Sequence, residues 1–546
     1  MLSPKKMSKV LIVGNKERLE DTINALYDLK IIHIIDYNDK EEGFERGKPS
    51  KMSSIFSEYV LSLRALKDIL HITSKESKSE IKDIEFSIEF KKRLESIENK
   101  VMEKRKKIDD IEVLLSDIEH ISDVNDLVKM DLSPNVKEIM IDLVKSKDRL
   151  MQERNDLTEE LHKINKEYRD FISTAEEFLS REIEKSETPL RLATTEHTYI
   201  LEGWMQTDDV EKTKKTLERV TGGDAQIIEI EEEGLEDVPV YVETPEPFKP
   251  FETLVDMFST PNYHEISPTL LISFTFPLFY GIMLGDLGYG LSLLLLVAYL
   301  RRRMKTVGWQ SLLNILNYAS IYTMIFGIVY GEFFGFEMYH DFFGISEIGG
   351  IHMPLVHRLE EIVPLLVASA AIGVVHITIG YIIGFINVLR NKGLKHAILE
   401  KVSWIGILYC LMGMVVFPDM IYPLLGGLAF FIVLMVMGEG ALALIEIFTL
   451  ISNVISYTRL LAIGLSSVGI AMAINKIVTD VLIPKGILGI ILGVLMLVFG
   501  HTLNLALGII ASFLHSIRLQ YVEFFTKFFK GGGIKFTPLG IRHKEV

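Results

Sequence analysis

The spacing of apolar residues changes character along the chain. Lys9–Gly14 (KVLIVG) is a short apolar run of strand type, Asn15–Leu29 places Leu19, Ile23 and Leu26 at helical spacing, and Ile31–Asp36 (IIHIID) returns to strand character. This predicts a β-α-β opening. Tyr59, Leu63, Leu66 and Leu70 then share one helical face, and Leu94, Ile97, Val101, Ile108, Ile111, Leu115 and Ile118 keep an a/d heptad with Lys and Glu between them. Ser133-Pro134 breaks the pattern, and a second heptad run follows through Leu143, Leu150, Leu157, Leu161, Ile164, Tyr168, Phe171 and Phe178. Two long seams around a proline turn predict an antiparallel coiled-coil hairpin, with a helical bundle core as the alternative. Thr198–Met205, Asp209–Val220 and Ala225–Ile230 read as a second β-α-β unit, so that two small α/β units bracket the coiled coil.

From residue 269 onward the pattern becomes continuous. Val238–Pro268, with six prolines, reads as a linker. Beyond it, apolar stretches approach the roughly 20 residues needed to cross a bilayer: Thr269–Leu284, Leu287–Leu300, Ser311–Phe334, Ile362–Val388, Trp404–Phe417, Tyr422–Gly438, Ala441–Ile477 and Ile487–Phe528. The first two are short, and Gly285-Asp286 between them is either a bend within the membrane or a helix junction. The expected fold class is an α-helical membrane bundle of about eight transmembrane helices, the last two long and tilted. It carries an N-terminal cytoplasmic α/β plus coiled-coil domain over 1–237, a linker at 238–268 and a membrane domain at 269–546.

Charge sharpens this division. The 546 residues carry a net −15, but residues 1–265 hold about 40 Lys and Arg against about 59 Asp and Glu, while 266–546 hold about 18 against about 14. An acidic solvated half and a slightly basic membrane half exclude a single globular core and a basic nucleic-acid binder. With Cys410 alone there is no intrachain disulfide and no Cys-based metal site. The apolar run Val10–Val13 is too short for a signal peptide, so the first half is expected to stay where it was made. Basic residues follow the even spans (Arg301–Arg303, Arg390–Lys401, Lys527–Lys544), which places both termini in the cytoplasm. No GxxxxGK[ST], HExxH or GxSxG motif occurs in the first half.

Ionisable residues at membrane depth carry the candidate chemistry. An arginine inside an apolar span costs at least about 2.5–3.5 kcal/mol and so faces water or a partner. Arg459 falls mid-span in ISYTRLLAI, with Ser452, Ser456 and Ser466 on its side of the helix. Snorkelling or an interhelical salt bridge is the alternative for Arg459, and more strongly for Arg518, which lies near the basic C-terminal end. Glu446 and Asn453 share another face that suits a polar path toward one surface. Asn504, Gly508, Ala511, His515 and Arg518 form a stripe that is polar at its ends and small in the middle, open to close approach by another helix or a ring. His376, His501 and His515 have helix packing as their plain alternative. Asp286 and Glu332, set among glycines (GDLGYG, YGEFFG), suit either bundle contacts or an aqueous path. A buried arginine with separated carboxylates suits ion translocation.

Taken together, FKPFETLVDMFSTPNYHEISP (248–268), FPLFYGIMLGDLGYG (276–290), YGEFFG (330–335), HITIGYIIGFINVLRNK (376–392), ISNVISYTRLLAIGL (451–465) and LHSIRLQYVEFFTKFF (514–529) resemble the membrane stator subunit, subunit I or a, of archaeal A-type and V-type rotary ATPases. The resemblance implies a subunit without nucleotide site, metal or cofactor. It implies an N-domain bound to peripheral stalks of E/G-type heterodimers and to a C/d-type socket subunit of the central stalk. It further implies an ion-translocating domain facing a ring of proteolipids, each with a carboxylate. Arg459 takes the position of the essential family arginine and Arg518 that of its partner. Glu446 matches a position associated with the cytoplasmic half-channel, and Asp286 and Glu332 suit the external one; Asn453, Ser456, Asn504 and His515 are further half-channel candidates. Ser467 and Gln520 stand where eukaryotic relatives tend to carry histidines, which with the short N-domain points to an archaeal or bacterial member. A stand-alone transporter would show two internal membrane repeats, which the sequence lacks. A membrane-anchored scaffold would need neither Arg459 nor the polar stripe.

Overall fold

The structure is a computed structural model and describes residues 3–38, 43–72, 88–118, 134–230, 237–342, 344, 347–348, 351–352 and 355–540. These divide into two compact units, one drawn from 8–230 and 538–540, the other from 3–7 and 237–537.

In the first unit, β1 (Met7–Asn15), β2 (Ile32–Ile34), β3 (Glu45–Arg46), β4 (Ala193–Thr194), β5 (Thr198–Gln206) and β6 (Ala225–Ile230) build one sheet, with α1 (Leu19–Leu29) after β1 and α5 (Thr207–Thr221) after β5. Its order is β3-β4-β5-β1-β6, with β2 also on β5. The two β-α-β motifs therefore share a sheet in the split order of a ferredoxin-like unit. β6 runs antiparallel along β1, from Lys9 opposite Ile230 to Gly14 opposite Ala225. The reason is burial: neither motif alone has enough apolar face, and together Val10, Ile12, Ile23, Leu26, Tyr199, Leu201 and Leu217 close one core.

Between β2 and β5 run α2 (Ser53–Ile69), α3 (Ile88–Ile118) and α4 (Pro134–Glu187). Arg93 lies over the Phe171 ring, while Lys104 pairs with Glu160 further along α3. Rising numbers on one helix meet falling numbers on the other, so α3 and α4 are antiparallel. α2 packs in as a third helix through Val60, Leu63 and Leu66, and Lys67 reaches Glu176 at 3.3 Å. A third helix widens the buried face of α4 beyond a two-stranded seam. Ile172, Ala175 and Leu179 become fully buried, while Phe171 and Phe178, expected in the seam, are only partly so. Ser133 lies outside the described residues; Pro134 opens α4, where its missing N–H costs nothing.

In the second unit the proline-rich stretch is folded rather than extended. α6 (Glu252–Phe258) follows a 3₁₀ turn, and Phe251, Leu254, Val255 and Ile266 are buried in the core formed by the next three helices. All eight apolar stretches are helical: α7 (Thr269–Leu284), α8 (Leu287–Arg303), α9 (Val307–Tyr330), α10 (Ile362–Lys392), α11 (Ser403–Val416), α12 (Ile421–Glu439), α13 (Ala443–Ser456) continued by α14 (Arg459–Lys476), and α15 (Ile487–Arg518). Six spans among the described residues are long and apolar enough to cross a membrane. α7 is too short, and α8 runs into Arg301–Arg303.

Gly285-Asp286 is a helix junction. Gly285 ends α7 with φ +26°, and the Asp286 carboxylate caps α8 by accepting from the Tyr289 amide at 2.9 Å. The same carboxylate accepts from the amides of Phe334 and Gly335 at 3.0 Å each, which draws the YGEFFG loop onto the junction. Gly327 of α9 passes so close that a Cβ there would stand 2.2 Å from the Leu287 nitrogen. Arg358, before α10, locks the loop from its other side. Its Nε donates to Glu332 at 2.9 Å, its Nη2 donates to Glu332 and to the Gly285 carbonyl (2.8 Å), and its guanidinium lies over the Tyr330 ring.

Two stability predictions follow from these approaches. Gly327→Ala should cost about 1–3 kcal/mol by overpacking against backbone. Gly426→Ala, where nothing lies within 4 Å, should be neutral or stabilising; heat unfolding in detergent compares the two. In the same assay Arg358→Met should cost about 3–5 kcal/mol by stranding Glu332, and Glu332→Gln added to it should recover most of the loss.

Candidate functional site

Arg459 does not sit in the middle of an unbroken helix. α13 ends at Ser456, and the amides of Tyr457, Thr458, Leu460 and Leu461 each bond three residues back, to Val454, Ile455, Tyr457 and Thr458. Arg459 is the first residue after this 3₁₀ turn. Residues three apart eclipse in such a turn, so Nη2 of Arg459 donates to the Ser456 hydroxyl at 3.2 Å. Nη1 donates to Oε1 of Glu523 at 3.0 Å. The Arg459 side chain remains 25% exposed, whereas Glu523 is 1% exposed. An apolar bundle thus holds a cation by one buried anion while leaving part of its side chain open. His515 on α15 is within electrostatic reach of both Arg459 and Arg518, and its buried Nδ1 has no hydrogen-bond partner among the described residues. Arg518 is exposed, with no ion pair or hydrogen bond among the described residues.

The stripe on α15 divides. Asn504 and Gly508 are buried, with Gly508 set against Leu284 of α7 and Ser467 of α14, while exposure rises toward Arg518. Asn504 donates to the Tyr289 hydroxyl and to the Ser467 carbonyl, both at 2.9 Å. Tyr289 hydrogen-bonds Nδ1 of His501 at 2.7 Å, and Nε2 of that ring meets Oδ1 of Asn475 at 2.9 Å. Asn475 donates in turn to the Phe334 carbonyl at 2.8 Å. Asn504 is thereby joined through Tyr289, His501 and Asn475 to the loop that Asp286 and Glu332 hold. Burial pulls the pKa of the Arg358 guanidinium down, but Glu332 beside it more than offsets this and holds it above the usual arginine range.

Glu446 lies elsewhere, exposed on α13 and within electrostatic reach of Lys401 and Lys527. Close by, Glu439 accepts from the Trp404 indole at 2.9 Å and lies 3.9 Å from Lys401, and Trp404 stacks on Tyr381. Asn453 is half-buried on α13. The candidates therefore form three groups: one around Arg459, one around Asp286, Glu332 and Asn504, and one around Glu446. Glu523, Arg358, Tyr289 and Asn475 were not singled out from the sequence. Glu523 left one trace there, as the lone carboxylate in the aromatic run YVEFFTKFF.

Residues 49–348 and 441–541 match the V-type ATPase 116kDa subunit family. The chain is 30% identical to the A-type ATP synthase subunit I of Archaeoglobus fulgidus over 99% of each chain. It is 26% identical to that of Halobacterium salinarum, again over 99% of each. To the subunit I of Pyrococcus abyssi it is 33% identical over 74% of this chain and 62% of that one. A match over most of its length, spanning the helices that bear Arg459, Glu446 and Asn504, makes the chain a member of the V-type ATPase 116kDa subunit family.

Proposed function

We propose that this chain is the membrane stator subunit of a rotary A/V-type ATP synthase, a non-catalytic part of an ion-translocating machine. The observation that carries the reading is Arg459, anchored to the buried Glu523 while a quarter of its side chain stays exposed. A guanidinium stays protonated at any physiological pH. It can displace an ion from a ring carboxylate without carrying the ion itself, and it blocks a direct leak between two offset half-channels. An ion crossing 100 mV gains about 2.3 kcal/mol per charge, which such a path converts to torque.

Arg518 extends the positive field along the same face, with His515 between the two arginines, while Glu446, Asn453 and Ser456 line the cytoplasmic half-channel. The Asn504–Tyr289–His501–Asn475 chain, with Asp286 and Glu332, supports the external one. The acidic soluble unit docks the peripheral stalks and the central-stalk socket, and both termini face the cytoplasm. This reading is supported by the relatives' names and by the basic loops after even spans.

Purification in mild detergent should bring down a proteolipid ring and nucleotide-binding subunits; a lone, active transporter would sink the reading. In the complex reconstituted into vesicles, Arg459→Ala should abolish ATP-driven ion uptake while assembly survives. Normal uptake in that variant would remove Arg459 from the mechanism.

A further inference from the structure

Glu523 is more deeply buried than the arginine it pairs with. Oε1 takes the guanidinium at 3.0 Å, and Oε2 is buried without a hydrogen-bond partner among the described residues. A carboxylate so placed is tolerable only while a cation stays near. The backbone on both sides of the pair is clamped to His376 of α10. Its Nδ1 hydrogen-bonds the Tyr457 hydroxyl at 2.7 Å, and its ring stacks on Phe524 at 4.0 Å and 14°. Tyr457 stands two residues before Arg459, and Phe524 directly follows Glu523. Gly373, one turn earlier on α10, admits the Tyr457 ring where a Cβ would stand 2.6 Å from it. A third helix thus sets the separation of the two charges.

We propose that Glu523 is a positioning residue for ion exchange at Arg459: an internal counter-ion to which the guanidinium returns whenever an ion claims the ring carboxylate, with His376 fixing the geometry. This rests on the stator reading above. Two carboxylates then compete for one guanidinium. When the ion binds the ring carboxylate, Arg459 moves to Glu523 rather than standing bare in an apolar bundle. When the ion leaves, the ring carboxylate draws Arg459 part of the way back. With the ion on the ring, Arg459 and Glu523 neutralise one another; with the ion gone, one guanidinium is shared by two carboxylates, and the net −1 of that state favours binding of the next ion. Without Glu523 the ion must displace Arg459 with no alternative partner to receive it.

The test is ATP-driven uptake by the reconstituted complex as a function of the concentration of the transported ion. Glu523→Gln should raise the half-saturating concentration about tenfold, the equivalent of one pK unit of lost competition, with Glu523→Asp returning most of the way to wild type. A merely structural role would lower the maximal rate and leave half-saturation in place, and that outcome overturns the proposal. If the glutamine variant fails to assemble, His376→Phe keeps the stack and loses the bond to Tyr457. It should shift half-saturation in the same direction, and no shift there is equally fatal. The ion pair is read separately by heat unfolding: the Arg459→Ala, Glu523→Gln double variant should outlast Arg459→Ala alone, and a double variant no more stable rejects the pairing. A lone, active transporter on purification would strike the stator reading and leave that comparison standing, so the two failures are distinct.

Discussion

A charge in an apolar bundle has no water to turn to, and the arrangement of the membrane half is governed by how each such charge is answered. Arg358 and Arg459 face the same problem and solve it differently. Arg358 is sealed: bidentate on Glu332, bonded to the Gly285 carbonyl and laid over an aromatic ring. Arg459 has a single buried carboxylate and one hydroxyl, and a quarter of its side chain remains open. The sealed pair fixes a loop at a helix junction, as befits a part that must not move. The half-answered one retains capacity for a second anion, which a purely structural ion pair does not need.

Much of this was legible in the sequence because membrane helices and heptads follow from period and length. Every apolar stretch expected to be helical is helical, and Arg459 and Ser456 do meet. What escaped was non-local. Nothing in YVEFF says that Glu523 reaches a helix more than sixty positions earlier, and a lone Arg358 between spans gives no sign of a partner at Glu332. The 3₁₀ turn at Tyr457–Thr458 breaks the even spacing from which a continuous face through Ser452, Arg459 and Ser466 was expected. It carries no Pro or Gly, the usual signals of such a break. The stripe on α15 was real as a spacing, yet packing against α7 and α14 buried its first half and left its second half open.

The first unit shows the same limit in milder form. Strand and helix character were readable at each motif, but whether two β-α-β motifs make one sheet or two depends on pairing between residues about two hundred apart, as between Val10 and Glu229. The a/d pattern likewise fixed where α3 and α4 are apolar without revealing that α2 completes their core.

The chain's end in the membrane unit is stitched to its beginning. Ile534–Lys535 pairs in parallel with Pro239–Val240, Glu265 accepts from the amides of Lys530 and Gly531, and the Gly533 amide bonds the Thr260 carbonyl. The polypeptide therefore closes a ring through hydrogen bonds a few residues after Glu523. A pull arriving at Val240 divides at once between the path through α6 and the path into the tail of α15. Load on this unit is in this way shared by both ends of its fold, and the segment bearing Glu523 is braced from both directions.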